Sequence, residues 1–205
     1  NTLALGYQGG VRAFQKMSEA YGTEVSEVQA LKIRNDWRDA NAPIVQLWVD
    51  VEKAARNAIS YTGQAYDAGK GTFRVVNGDL LFKLPSGRIL SFPEASLTQG
   101  ERLMEIKYKG MNNHTHRWGE IKAYGGSLVQ SITQAVARDI LAEAILRLEA
   151  ANYPVVLHVH DEIVGDVPND FGSLEEFERL MCVLPEWAEG MPVEAEGYES
   201  KRYRK

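Results

Sequence analysis

The sequence predicts an α+β protein: a helical region with a small β-meander, followed by a long helix packed on an antiparallel sheet. Three patterns support this fold class. Apolar residues recur at helical spacing over residues 11–66, and Asn77-Gly78 separates two short strand-like runs. A long amphipathic pattern over residues 127–151 then precedes two apolar strand-like runs, which are hinged near residues 160–162. With 205 residues, 44% of them hydrophobic, the chain can bury a core, and its composition excludes disorder and low complexity.

The first region is predicted to contain three helices joined by short breaks. The first carries Val11, Phe14 and Met17 and ends at Gly22. Thr23 is expected to cap the second helix, whose apolar side is predicted to consist of Val25, Val28, Leu31 and Trp37. Asn41 and Pro43 end that helix and begin a third, with an apolar face made of Ile44, Leu47, Trp48, Val51 and Ala55.

Strands are predicted to follow. Residues 72–76 and 79–83 flank the Asn77-Gly78 turn, and residues 88–92 form a third strand after the turn at 85–87. Residues 101–125 are expected to be extended and mildly basic, with Arg102, Lys107, Lys109, His114, His116, Arg117 and Lys122. We place a boundary between two parts of the chain at residues 95 and 96.

The long helix over residues 127–151 carries two different sides. Its apolar side is predicted to consist of Leu128, Val129, Ile132, Val136, Ile140, Ile145 and Leu148. Its polar stripe contains Ser127, Gln130, Ser131, Gln134 and Arg138. Such a stripe is either a solvated helix surface or a set of neutral donors, which suit the acceptors that every base pair presents in the DNA minor groove.

The segment His158-Val159-His160-Asp161-Glu162 is the most informative for chemistry. Adjacent carboxylates between two apolar strands repel each other, and a hard cation such as Mg²⁺ would relieve that repulsion. One alternative is a polar hairpin tip in solvent. Another is a metal-dependent hydrolase that uses His158, His160 and Asp161, because residues two apart on a strand share a face.

Charge and cysteine content bear on partners and location. The net charge is −5, but residues 1–160 carry 18 basic and 16 acidic residues, whereas residues 161–199 carry 12 acidic residues and one basic residue. A polyanion is therefore expected to meet the first region. The single cysteine, Cys182, and the lack of a membrane-spanning run of about 20 apolar residues favour a cytoplasmic protein without a membrane partner. Because the sequence opens at Asn1 without methionine, we expect a fragment of a longer protein.

Taken in order, these segments resemble the C-terminal part of a family A DNA polymerase, the DNA polymerase I family, of the phage or prophage type. Residues 132–139 resemble the helix that carries the family's glutamine, and Val159-His160-Asp161-Glu162 resembles its third palm signature. Leu5-Gly6-Tyr7 resembles the end of the fingers helix. The resemblance implies that residues 1–95 are part of the fingers and residues 96–205 part of the palm.

The resemblance also implies roles for individual residues near the catalytic metals and the DNA. Asp161 would bind the two Mg²⁺ ions, and Glu162 would be its catalytic neighbour. His160 would touch the primer terminus. The residues implied to contact the duplex are Gln134, Gln130 and Arg138.

The nucleotide and template would be contacted by Tyr7 and Leu3, although Leu3 replaces an aromatic residue that is common in the family. Gln8 stands where the family usually has glycine. The implied partners are primer–template DNA, dNTPs and the remainder of a polymerase chain upstream of residue 1, which would hold the other metal-binding aspartate and the fingers Lys and Arg. The chain alone is therefore expected to be inactive. A non-catalytic DNA-binding remnant of a prophage polymerase is a further alternative.

Overall fold

The helical region begins with α1 (Thr2–Leu5), α2 (Val11–Ala20), α3 (Glu27–Ala40) and α4 (Ala42–Ser60). The structure, a computed structural model, describes residues 2–100, 104–112 and 115–203, without the side chains of residues 2 and 3. As predicted, α2 ends next to Gly22, whose φ is +72°, and α3 gives way to α4 at Asn41. Within the described ranges, no helix is long and apolar enough to cross a bilayer.

The predicted cap of α3 was wrong. Ser26, not Thr23, is the N-cap, and its hydroxyl accepts a hydrogen bond from the backbone N–H of Gln29. In return, the Gln29 side chain accepts a 3.1 Å bond from the backbone N–H of Ser26. This capping box satisfies two backbone donors at once, which explains why the helix begins three residues later than expected.

The apolar side predicted for α3 was also wrong in part. Val28 is 78% exposed and Leu31 is 42% exposed, whereas Ala30 is fully buried. Ala30 belongs to a cluster with buried Leu5 and Phe14, against which Ile33 and Trp37 pack. Positions 30, 33 and 37 lie on one side of the helix, and the small Ala30 side chain allows close packing on that side. Val28 and Leu31 lie on the other side and are exposed to water.

The face predicted for α4 is largely confirmed. Trp48, Val51 and Ala55 are buried, together with Ala54 and Ala58. Ile44, in the first turn, is 37% exposed and so lies at the margin of this face. The buried side of α4 packs on the sheet described next.

The β-meander is confirmed, with one additional strand. The antiparallel sheet contains β1 (Ala65–Ala68), β2 (Gly71–Val76), β3 (Asp79–Lys83) and β4 (Ile89–Phe92), in that order. Asn77 and Gly78, both at positive φ, join β2 to β3, as a two-residue hairpin turn requires. Helix α4 contacts β1 and β2.

The extended region is confirmed as a second antiparallel sheet with strands β5 (Ser96–Gln99), β6 (Met104–Met111) and β7 (Trp118–Ala123). Two of its predicted basic residues pair across strands: Lys107 with Glu120 and Lys122 with Glu105, each at 2.7 Å. Arg102 and His114 lie outside the described residues.

The chain forms two compact units, Asn1–Thr133 and Gln134–Lys205. Helix α5 (Gly125–Ala150) begins in the first unit and continues into the second, which also contains β8 (Val155–Val159), β9 (Glu162–Gly165), α6 (Leu174–Cys182) and a 3₁₀ turn at Glu186–Ala188. The α+β class is therefore confirmed. The functional boundary expected at residue 95 stays a prediction.

Tyr153 organises the second unit and is buried. Its ring makes edge contacts with Phe171 and Phe177, at centroid distances of 5.1 and 5.3 Å. Its hydroxyl donates a 2.7 Å hydrogen bond to Glu176 and accepts a 3.1 Å bond from the backbone N–H of Ser173. The Tyr153 side chain thus joins the segment just before β8 to the first turn of α6.

Candidate functional site

His160 and Asp161 form a two-residue turn between β8 and β9. Val159 pairs with Glu162, so the turn is as tight as a hairpin allows. His160 has a φ of +55°, which lies in the left-handed region that residues with a Cβ rarely adopt. The Asp161 side chain is exposed at the apex. The turn therefore presents the Asp161 carboxylate to solvent at the end of the hairpin.

The two apolar strands that flank this turn are exposed or half-buried in the structure. Val156 is 61% exposed and Leu157 is 42% exposed, and β9 is only half-buried. Among the described residues, β8 and β9 form a two-stranded sheet by themselves. An isolated two-stranded sheet is marginally stable in water, and this one leaves part of its apolar surface exposed.

Glu162 is tied to the C-terminal segment. Its Oε2 accepts a 2.8 Å hydrogen bond from the hydroxyl of Tyr203. The bond raises the pKa of Tyr203, because ionisation of the phenol would abolish the bond and bring two negative charges together. Sequence reasoning missed this contact, since the two residues lie 41 positions apart.

The polar stripe of α5 divides into two groups. Ser127 caps the helix: its hydroxyl accepts a 2.9 Å bond from the backbone N–H of Tyr124 and donates a 2.8 Å bond to the Tyr124 carbonyl. The Ser131 hydroxyl donates to the Ser127 carbonyl at 3.1 Å. These hydroxyls are used within the protein. The side chains left exposed for a partner are those of Gln130, Gln134 and Arg138.

The apolar side of α5 differs from the predicted one. Leu128, Val129 and Leu148 are buried as expected, whereas Ile132, Val136, Ile140 and Ile145 are only half-buried. Asp139 is 8% exposed. It falls inside the segment 132–139 that resembles the family's glutamine helix, yet composition and periodicity gave no reason to expect a buried carboxylate.

The loop between α1 and α2 holds Tyr7, which is half-buried. Donors from two helices fix this loop: Trp48 Nε1 donates to the Gly6 carbonyl at 3.2 Å, and Arg38 donates to the Gly9 carbonyl at 3.3 Å. The Gln8 side chain accepts a 2.8 Å bond from the backbone N–H of Gly126. Leu3 lies in α1, and its side chain is outside the description.

No group of three or more His, Cys, Asp or Glu side chains among the described residues could hold a metal ion. The hydrolase alternative with His158, His160 and Asp161 therefore lacks a ligand set in this part of the chain. For Mg²⁺, the Asp161 carboxylate is the correct donor type and is accessible, but the described residues do not complete a coordination shell around it.

The chain is similar to the DNA polymerase of Bacillus phage SP02, with 39% identity over 205 residues. The match covers 99% of this chain and 31% of the phage protein, so the chain spans less than a third of the length of that relative. No protein-family model and no solved structure matches the chain. The resemblance to a DNA polymerase thus has support from a relative along nearly the whole chain.

Proposed function

We propose that this chain is the C-terminal part, partial fingers followed by palm, of a family A DNA polymerase of the phage type. The observation that carries the proposal is the 39% sequence identity to the phage polymerase, in an alignment that covers 99% of this chain. The tight turn that presents Asp161 gives further support, since a polymerase requires an exposed carboxylate at this point of its palm signature. The reaction is transfer of a nucleotide from a dNTP to a primer 3′-hydroxyl.

In this proposal, Asp161 contributes one ligand to the pair of Mg²⁺ ions, and Glu162 is its catalytic neighbour. When bound, such ions stabilise the charge that develops on the phosphoryl group and its leaving group. The chain spans 31% of its polymerase relative, and the other carboxylate would belong to a part of the polymerase outside this chain. Because Glu162 already accepts a hydrogen bond from Tyr203, the Asp161 oxygens are the more accessible metal ligands.

The remaining side chains would bind the substrates, primer–template DNA and dNTPs. Gln134, Gln130 and Arg138 are exposed on α5 and would contact the duplex, while His160 would contact the primer terminus. Neutral amide donors suit a protein that must accept any base pair, because minor-groove acceptors vary little with sequence. Tyr7, with Leu3, would lie beside the templating base and the incoming nucleotide.

The chain by itself is proposed to be inactive. It spans 31% of its polymerase relative, and it would lack the second carboxylate and the fingers cations that neutralise the triphosphate. A protein that copies a phage genome in a bacterial host would act in the cytoplasm.

Primer extension with the full-length gene product tests the proposal. Asp161→Asn should lower the extension rate at least about 100-fold, as the loss of a charged group at a reacting centre does, and should leave primer–template binding within about twofold. Asp170→Asn is the matched control, because Asp170 is an exposed carboxylate of the same unit that lies outside the turn and outside β9. A parent protein that binds DNA without extending primers would instead identify a non-catalytic remnant. An Asp161→Asn variant as active as the parent would show that the carboxylate is not catalytic.

A further inference from the structure

We infer that Gln8 and Gly126 are positioning residues that fix the loop of Tyr7 onto the first turn of α5. This inference rests on the proposed function, since Tyr7 is assigned to the nucleotide only there. The contacts themselves lie wholly within the first unit. They involve residues 118 positions apart in the sequence.

The first element of this arrangement is the backbone of Gln8. Its φ of +68° lies in the left-handed region, which glycine adopts readily and a residue with a Cβ does not. A glutamine at this position therefore carries a conformational cost. What the side chain provides in return is the 2.8 Å hydrogen bond that its Oε1 accepts from the backbone N–H of Gly126.

That hydrogen bond satisfies a backbone N–H in the first turn of α5. The first N–H groups of α5 have no partner within the helix, because the preceding turn is missing. Gly126 obtains its acceptor from Gln8, and Gly125 obtains one from the Glu52 carboxylate at 2.8 Å. The N-terminus of α5 is thus capped by α4 and by the Tyr7 loop, in addition to the local cap from Ser127.

The second element is the absence of a side chain at Gly126. A Cβ at this position would lie 2.2 Å from the Tyr7 carbonyl oxygen and 2.6 Å from the Gln8 Cβ. Gly125 is equally constrained, because its Cβ would lie 2.2 Å from the Trp48 carbonyl oxygen. The Tyr7 backbone therefore rests directly on the helix, and any side chain at Gly126 would displace it.

The functional consequence is a link between the two substrate contacts. Gln130, proposed to contact the duplex, lies one turn along α5 from Gly126, about 6 Å further on the helix axis. The backbone of Tyr7 and this DNA-facing residue are therefore held by the same short stretch of helix. This stretch of α5 would fix the position of Tyr7 relative to the duplex. A residue that selects nucleotides requires such a fixed position.

The test uses the full-length gene product and four variants: Gln8→Ala, Gln8→Gly, Gln8→Glu and Gly126→Ala. Gln8→Ala and Gln8→Gly should each raise the KM for dNTP about fivefold, the effect of one lost neutral hydrogen bond, and change kcat by less than about twofold. Gln8→Glu keeps an acceptor at the helix N-terminus and should behave as the parent does. Gly126→Ala should raise the KM and the misincorporation frequency together.

Gln8→Gly separates positioning from general stability. Glycine relieves the strained backbone, so this variant should unfold at a temperature no lower than that of Gln8→Ala while its KM stays raised. Amide hydrogen exchange at Gly126 should be faster in both variants than in the parent. Parent-like KM values and exchange rates in both would overturn the inference even if the parent extends primers. If the parent does not extend primers, the proposed function fails, and the exchange rate alone supports or overturns the contact.

Discussion

The hydroxyl of Tyr203 donates a 2.8 Å hydrogen bond to Glu162, which ties the end of the described chain to the strand that follows the Asp161 turn. Of two adjacent carboxylates, one is engaged by a phenol and the other is exposed at the apex. An acceptor that already has a donor is less available for a second partner. The contact thereby gives the two adjacent carboxylates different surroundings.

The first prediction concerns the ionisation of Tyr203. Its pKa is raised by the bond to Glu162, so the bond contributes below the ordinary tyrosine pKa and is lost as pH rises through the raised pKa. Glu162→Gln removes the negative charge and should return the pKa of Tyr203 toward its ordinary value. NMR titration of ring-labelled tyrosine measures this, with Glu196→Gln as a control in the same segment. An unchanged pKa in Glu162→Gln would contradict the contact.

The second prediction concerns Tyr153. Tyr153→Phe keeps the ring contacts with Phe171 and Phe177 but leaves Glu176 and the Ser173 N–H without their partner. The free energy of unfolding should fall by about 1–2 kcal/mol, as expected for a buried hydroxyl with two bonds. Urea denaturation measures the change, and Tyr21→Phe, at an exposed residue, should be neutral.

The same residue predicts a dependence on pH. The bond to Glu176 raises the pKa of Tyr153, so its stabilisation is complete below the ordinary tyrosine pKa and decreases as pH rises through the raised value. The parent should therefore lose more stability between pH 9 and pH 11 than Tyr153→Phe does. Equal alkaline losses in the two proteins would show that the Tyr153 hydroxyl is not bonded as described.

The parts of the fold that sequence predicted are those with local causes. The Asn77-Gly78 turn, the end of α2 at Gly22 and the break at Asn41 each depend on residues next to the feature they produce. The turn at Asp161 belongs to the same group, because apolar runs on both sides of a short polar segment are typical of a hairpin.

The parts that could not be predicted depend on contacts between distant residues. Nothing near Gly126 in the sequence indicates that Tyr7 packs on it, and nothing near Glu162 indicates Tyr203. Asp139 is buried for the same kind of reason, since burial depends on what surrounds a helix rather than on its own periodicity. Candidate site residues could therefore be named in advance, whereas the side chains that hold them could not.

The third prediction compares two glycines that both have room for a Cβ but have different backbone conformations. A Cβ at Gly78 or at Gly119 would meet nothing within 4 Å, but Gly78 has a φ of +89°, whereas Gly119 lies in β7 without a positive φ. Gly78→Ala should destabilise the protein by about 1–2 kcal/mol, the cost of a left-handed conformation for a residue with a Cβ. Gly119→Ala should change stability by less than about 0.5 kcal/mol. Equal effects in urea denaturation would show that the β2–β3 turn does not have the conformation described.

The last prediction tests the two kinds of DNA contact proposed for α5. Gln134 and Arg138 are both exposed, but only the arginine can neutralise a phosphate. If Gln134 donates to bases, Gln134→Ala should weaken primer–template binding about fivefold at every salt concentration, because a neutral donor releases no counterion. If Arg138 contacts a phosphate, Arg138→Ala should reduce the slope of log K against log salt by about 0.9.

Thr133→Ala, an exposed neighbour on the same helix, is the control and should match the parent. Fluorescence anisotropy with the full-length gene product from 50 to 200 mM salt measures all four proteins. Parent-like affinity and slope in both variants would show that this side of α5 is simply solvated, and the polar stripe would then have no part in binding DNA.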